Sequence, residues 1–219
     1  MLKAILFDMD GVLVDSMCFQ ADAWAKVFEE FDIKITREDI YVLEGSNNKG
    51  TIKAIFKKTG KIPEPWQFDY LVKKKREVLE FEHIEPFKGI QDCLKALKQN
   101  FKLAAVSGSS RYMVEKVVNN FFPTCFEVII TGDDFELGKP EPAPYIKALE
   151  KLNMTMNECI VVENAPMGIT AAKRAGLYCV AVATTLAPEN LQHADLVFED
   201  HHALFNFLKS LIQSDFNFS

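Results

Sequence analysis

The stretch Leu2-Lys3-Ala4-Ile5-Leu6-Phe7-Asp8-Met9-Asp10-Gly11 decides the fold. Its apolar run is continuous, without the alternation of a half-exposed strand, which is the pattern of a strand covered on both faces of a parallel sheet. The run then stops on two acids placed two residues apart. Similar short apolar runs recur at 103–106, 128–131, 160–162, 179–182 and 196–198. Between most of them the spacing turns helical: Ile90, Leu94 and Leu97 share a face, as do Met113, Val117 and Val118, and Tyr145, Leu149 and Leu152. Strands alternating with helices predict right-handed crossovers and an α/β fold, a doubly wound parallel sheet.

One interval breaks this rhythm. From about residue 16 to 84 the sequence predicts helices and no strand. Phe19, Trp24, Val27, Phe28 and Phe31 form a wide apolar stripe. Ile52, Ile55 and Phe56 follow, then Phe68, Leu71, Val72, Val78 and Leu79, with 60–65 as the loop between. The expected organisation is a catalytic core formed by 1–15 and 85–219, with a small all-helical cap domain, 16–84, inserted after the first strand. The end of the tail, 213–219, is expected to be loosely ordered.

The bulk properties exclude several classes. With 219 residues, 48% of them hydrophobic, the chain can bury a sizeable core. Its formal charge of -6 and lack of a dense basic stripe argue against a nucleic-acid partner. The run Lys73-Lys74-Lys75-Arg76 reads, taken alone, as a solvated helix face. The acids at 8 and 10 cut the first apolar run too short for a signal peptide or membrane span. The five cysteines are scattered without a CxxC pair, which fits reduced thiols in a cytoplasmic protein and neither a disulfide framework nor a zinc centre. No feature points to an obligate protein partner.

Ligand sites in open α/β sheets lie beyond the carboxyl ends of the strands. The residues following each strand are Asp8-Met9-Asp10-Gly11, then Ser107-Gly108-Ser109-Ser110, then a loop with Gly138-Lys139-Pro140-Glu141-Pro142, then Glu163-Asn164-Ala165-Pro166. Acids two apart in extended backbone point to the same side. With Glu163 they predict an acidic pocket suited to Mg²⁺, which pairs one or two carboxylates with waters and substrate phosphate. Ser107 and Lys139 can hold phosphoryl oxygens. One aspartate can attack phosphorus and the other can shuttle the proton. Each piece alone has a blander reading: a solvated turn, a helix cap, a surface Lys-Pro. Four pieces in workable order at successive strand ends outweigh those readings.

These motifs resemble the haloacid dehalogenase superfamily. Asp8-Met9-Asp10-Gly11-Val12-Leu13-Val14-Asp15-Ser16 is similar to its first motif, and Ser107, Lys139 and the Glu163 region to the other three. The helical interval is similar to its cap, and the nearest branch is that of β-phosphoglucomutase-like phosphatases and mutases. The resemblance implies Asp8 as nucleophile and metal ligand, and Asp10 as general acid and base that also offers its backbone carbonyl to Mg²⁺. Ser107 and Lys139 would hold the transferring group, and Glu163 and Asn164 would complete the metal site. It further implies substrate contacts from Gly11, Gln20, Trp24, Gly45, Lys49, Lys75, Gly108 and Ser109. The expected substrate is a small phosphorylated metabolite.

Three departures matter. The fourth motif usually ends in two acids, whereas Asn164 follows Glu163 here, so weaker metal binding is expected. Gln20 and Asn48 stand where the mutase has a histidine and an arginine, and an amide cannot clamp a second phosphate as arginine does. Hydrolysis is therefore expected over mutase chemistry, with a non-catalytic phosphate-binding protein as the rival reading. No Gly-x-Gly-x-x-Gly or P-loop signature is present.

Overall fold

The computed structural model describes residues 1–213; the expectation for the end of the tail lies outside the described residues. The strands are β1 (Ala4–Phe7), β2 (Val14–Asp15), β3 (Glu85–Pro86), β4 (Lys102–Val106), β5 (Val128–Ile130), β6 (Cys159–Glu163), β7 (Tyr178–Val182) and β8 (Leu196–Phe198). Six of them form one parallel sheet in the order β5-β4-β1-β6-β7-β8. The chain fills one side of β1 with β4 and β5, then crosses over to build β6, β7 and β8 on the other. The winding direction reverses beside β1, and there a crevice opens at the carboxyl ends of the strands.

Both sheet faces are buried, as the unbroken apolar runs require. Alternate residues Ile5, Phe7, Leu103, Val162 and Val180 pack against Ile90, Leu94, Val117, Leu204 and Leu208. These come from helices α5 (Ile90–Leu97), α6 (Arg111–Phe121) and α9 (His201–Ser210), which follow in chain order the four named in the next paragraph. The opposite face carries smaller residues, Ala4, Leu6, Ala104, Val161 and Ala181, against Tyr145, Ala148, Ile169 and Ala172. Those lie on α7 (Ala143–Leu152) and α8 (Pro166–Arg174). Small strand residues let α7 approach closely, which carries Tyr145 under the sheet rim.

The interval between β2 and β3 is helical: α1 (Met17–Glu29), α2 (Arg37–Tyr41), α3 (Asn48–Lys58) and α4 (Pro65–Val78). Local signals set their ends. Thr36 and Asp39 make a reciprocal capping box at α2, Asn47 caps α3 by accepting from the Gly50 amide, and Pro65 opens α4 where no amide partner is needed. The segment has its own apolar cluster, with Trp24, Phe28, Ile52, Phe56 and Leu71 at its centre. Truncating Phe28 to alanine there would cost about 3–5 kcal/mol. Phe19 departs from the expected stripe. It sits about 140° around α1 from Trp24 and packs on the sheet-side cluster instead. The segment leaves and rejoins the sheet through a two-stranded antiparallel ribbon, Val14 opposite Pro86 and Asp15 opposite Glu85.

Candidate active site

β1 delivers Asp8 to the sheet rim, 2% exposed. The Lys139 ammonium reaches it from the loop after β5 and donates to Asp8 Oδ1 at 2.6 Å, to Glu163 Oε1 at 2.6 Å and to the Val106 carbonyl at 3.0 Å. Tyr145 also donates its hydroxyl to Glu163 Oε1 at 2.7 Å, and the amides of Asn164 and Ala165 serve Glu163 Oε2 at 3.0 and 3.3 Å. A Cβ at Gly168 would fall 1.8 Å from Glu163 Oε1, so the absence of a side chain there leaves room for the carboxylate. Both Glu163 oxygens are thus engaged by protein donors. The sequence placed Glu163 among the cation ligands; the structure shows it paired with Lys139.

One buried ammonium shared by two buried carboxylates sets the electrostatics. Burial pushes Asp8 up to about 8, Lys139 pulls it back, and Glu163 competes for the same cation. Burial opposes the charge on Lys139, yet Asp8 and Glu163 overcome that opposition and hold the ammonium above its ordinary value.

Asp10 lies two residues on, with buried Met9 between them pointing into the sheet-side cluster. A tight turn follows, in which Leu13 and Val14 donate to the Met9 carbonyl and Gly11 adopts φ +79°, a left-handed conformation that favours glycine. The Asp10 carboxylate is ringed by donors. Ser16 Oγ at 2.5 Å and Gln20 Nε2 at 3.1 Å serve Oδ1, while Ser109 Oγ at 2.8 Å and Ser107 Oγ at 3.5 Å serve Oδ2. The Ser109 amide in turn donates to Ser107 Oγ at 3.0 Å.

The Asn164 corner is different. Asn164 is fully buried, and its Nδ2 donates to Glu44 Oε1 at 2.6 Å and more distantly to Thr185 Oγ1 at 3.4 Å. Glu44, from the turn between α2 and α3, is 4% exposed. Burial raises its carboxyl well above the usual range, against the Asn164 amide, and the Asp8, Glu163 and Asp10 charges add to the rise. Asn164 Oδ1 and Glu44 Oε2 are buried without a hydrogen-bond partner, a costly condition for such atoms. A Cβ at Gly11 would strike Asn164 Nδ2 at 2.0 Å and Glu44 Oε1 at 2.8 Å, so the first motif and these two side chains touch.

The fit to Mg²⁺ rests on that corner. Among the described residues no group of three His, Cys, Asp or Glu stands ready as a metal centre, because Lys139 draws Asp8 and Glu163 toward itself. Asp8, Asp10 and Glu44 nevertheless line the roofed space with the Lys75 ammonium, and Asp8 shares the Lys139 ammonium with Glu163. Together with the orphaned Asn164 oxygen, this is a hard, oxygen-rich and negatively unbalanced setting that suits a divalent cation.

The helical segment forms the roof. Gly45 packs against the Lys139 side chain, and Gly108 lies so close to the Gly45 and Ser46 carbonyls that a Cβ there would meet them at 2.5 Å. Gln20, Trp24, Gly45, Lys75, Gly108 and Ser109 all line the space over Asp8 and Asp10. Lys75 Nζ stands 4.6 Å from the centre of the Trp24 ring. Burial lowers this lysine to about 8, with the Asp10 charge resisting. The basic run is therefore not a uniform solvated face, because Lys75 turns inward. Lys49 is not brought to Asp8; it is exposed and lines a neighbouring cleft with Asp69, Arg76 and Asp133. Gly11 backs Asn164 and Glu44 rather than the roofed space. That space, about 50 Å³, has room for a few waters.

The haloacid dehalogenase-like hydrolase family matches residues 5–182. The chain belongs to that family. A validoxylamine A 7'-phosphate phosphatase from Streptomyces hygroscopicus subsp. limoneus is 31% identical over 208 residues, covering 91% of this chain and 94% of the relative. A phosphorylated carbohydrates phosphatase from Thermotoga maritima is 27% identical, covering 80% of this chain and 82% of its own. Among solved structures, one assigned provisionally as a beta-phosphoglucomutase, from Bacteroides vulgatus, superposes with a TM-score of 0.86 at 33% identity, over 97% of this chain and 91% of that one. These likenesses place the chain in the β-phosphoglucomutase-like branch, among enzymes that hydrolyse or transfer phosphoric monoesters. No helix among the described residues is long and apolar enough to cross a membrane.

Proposed function

We propose that this protein is a magnesium-dependent hydrolase of small phosphate monoesters that carries the phosphoryl group transiently on Asp8. The observation that carries this reading is the pairing of two unlike aspartates at one rim. Asp8 is buried and braced by Lys139 at 2.6 Å, while Asp10 lies within a ring of hydroxyl and amide donors. An Asp8 oxygen attacks phosphorus as the ester oxygen leaves, and Asp10 delivers a proton to that oxygen. Asp10 then takes a proton from water, whose oxygen attacks the phosphorus of the acyl phosphate and frees both phosphate and Asp8. Ser107 and the backbone around Gly108 and Ser109 offer donors to the phosphoryl oxygens, where charge concentrates. Lys139 opposes the rise that burial imposes on the Asp8 carboxyl and holds its Oδ1 in place. Mg²⁺, held by Asp8, the Asp10 backbone carbonyl and Asn164, would cancel the repulsion between these carboxylates and an incoming phosphate.

Residues 16–84 act in this reading as a cap over a core of 1–15 and 85–219. The cap roofs Asp8 and Asp10 closely, and in this reading it swings on the β2–β3 ribbon to admit substrate and closes again to exclude water. The phosphatase relatives support a small phosphorylated metabolite, with a phosphorylated carbohydrate favoured by their substrates and by the Trp24 and Lys75 wall. Gln20 and Asn48 favour hydrolysis over mutase chemistry.

The test is hydrolysis of an aryl phosphate by the wild type and by Asp8→Asn, with and without Mg²⁺. The substitution should lower turnover on the order of 10³-fold or more. Activity surviving it removes the covalent route. Supplying β-glucose 1-phosphate separates the two outcomes of transfer: free phosphate marks a hydrolase, glucose 6-phosphate a mutase.

A further inference from the structure

We infer that Glu44, borne by the helical segment, supplies the divalent-cation site with the carboxylate that Asn164 does not carry. This deepens the magnesium-dependent reading above and rests on it. Asn164 stands where a second acid would normally follow Glu163, and Glu163 itself is consumed by Lys139, Tyr145 and two backbone amides. The core alone therefore brings Asp8, Asp10 and a neutral amide to the cation. Glu44 enters this gap from 120 residues away in sequence, bonded at 2.6 Å to Asn164 Nδ2. That bond orients both side chains and leaves one oxygen on each, Asn164 Oδ1 and Glu44 Oε2, buried and unpartnered.

Two orphaned acceptors on hydrogen-bonded neighbours, beside the turn that carries Asp10 and Gly11, are what a hard cation would satisfy and a donor-rich protein wall would not. A carboxylate buried against three others has no reason to stand there unless positive charge joins it. Glu44 is thus a ligand of the cation, directly or through one water, and its place on the insert gives the arrangement a further property. The cation is held tightly only while the turn at Glu44 and Gly45 is docked on the core, so binding of metal and closure of the helical segment favour each other.

The test uses the full chain and Mn²⁺ as the probe, with its dissociation constant read by electron paramagnetic resonance or water proton relaxation, independently of turnover. Glu44→Gln keeps an acceptor for Asn164 Nδ2 and removes only the charge, so metal-free thermal stability should not fall. Mn²⁺ binding should weaken roughly 10- to 100-fold. The double variant Glu44→Gln with Asn164→Asp, which returns the acid to the core, should recover most of that loss. Wild-type protein that binds no Mn²⁺, or a Glu44→Gln variant that binds it as tightly as wild type, overturns the inference. A double variant that remains as weak as Glu44→Gln also overturns it. Aryl phosphate hydrolysis by wild type and Asp8→Asn is followed in parallel. Turnover that depends on Asp8 while Mn²⁺ affinity ignores Glu44 sinks this inference and leaves the phosphatase reading standing; the converse result does the opposite.

Discussion

The neighbourhoods of Asp10 and Asn164 lie beside the same turn and differ in what each lacks. Around Asp10 there are donors in abundance: Ser16, Gln20, Ser107 and Ser109 all point at one carboxylate. Around Asn164 there are acceptors with nothing to accept, Asn164 Oδ1 and Glu44 Oε2. A donor ring fixes the direction in which a carboxylate faces, and a general acid and base must first be positioned. A corner of bare oxygens suits a cation. Lys139 lies between them, serving Asp8 and Glu163 at once. On the proposed reading, proton work and charge neutralisation are thus divided between two corners beside one turn.

The largest break in that division comes from removing the shared ammonium. Lys139→Ala leaves Asp8 and Glu163 buried without their counter-ion, and should cost about 3–5 kcal/mol of stability as well as turnover, measured by denaturant unfolding. An unchanged midpoint would mean that the pair is not held as described. The same electrostatics give wild type a pH signature. The folded-state Asp8 lies at about 8, above its ordinary 3.8, so the metal-free fold binds more protons than the unfolded chain between those values. Stability should therefore fall as pH rises from about 4 to 8, and Asp8→Asn should flatten that decline in thermal scans.

Asp10→Asn tests the donor side. It should lower turnover by about 10²- to 10⁴-fold while Mn²⁺ affinity, which on this reading uses the Asp10 backbone carbonyl, changes little. A matching loss of affinity would merge the two corners into one. On the other side, Asn164→Asp alone should lower the Mg²⁺ concentration needed for half-maximal activity, and an unchanged requirement would remove Asn164 from the cation site. The smallest effect belongs to Lys75. Its ammonium lies at about 8, so its charge is present below that pH and lost above it. The kcat/KM for an anionic substrate should drop severalfold through pH 8, and Lys75→Met should abolish the step without touching Mn²⁺ binding.

The strands, their order of use and the acids at their ends were legible because a parallel sheet buried on both faces admits little but apolar runs that stop at the rim. Finer contacts were not legible where a side chain's partners lie far away in sequence. Nothing near Glu163 announces that Lys139, 24 residues earlier, and Tyr145 will occupy one of its oxygens. Lys49 looked suited to the pocket, but Asn47 caps α3 so that the helix begins at Asn48 and turns Lys49 toward the adjoining cleft. Within the basic run, helical rotation sends Lys75 inward, and a list of charges does not reveal it. Glu44 was missed for a simple reason: an acid on a helical insert is ordinarily solvated, and it stands one residue before the glycine at which the loop motif begins.

The ribbon that joins the helices to the sheet has a consequence for what the sheet requires of the segment between its strands. The outgoing and returning chains meet as hydrogen-bonded neighbours at Val14–Pro86 and Asp15–Glu85, about 5 Å apart. Everything between those two points can be exchanged for a segment of different length or shape without stretching a single strand. The acids at the strand ends stay with the sheet, while a replaced segment would take Gln20 and Glu44 away with it.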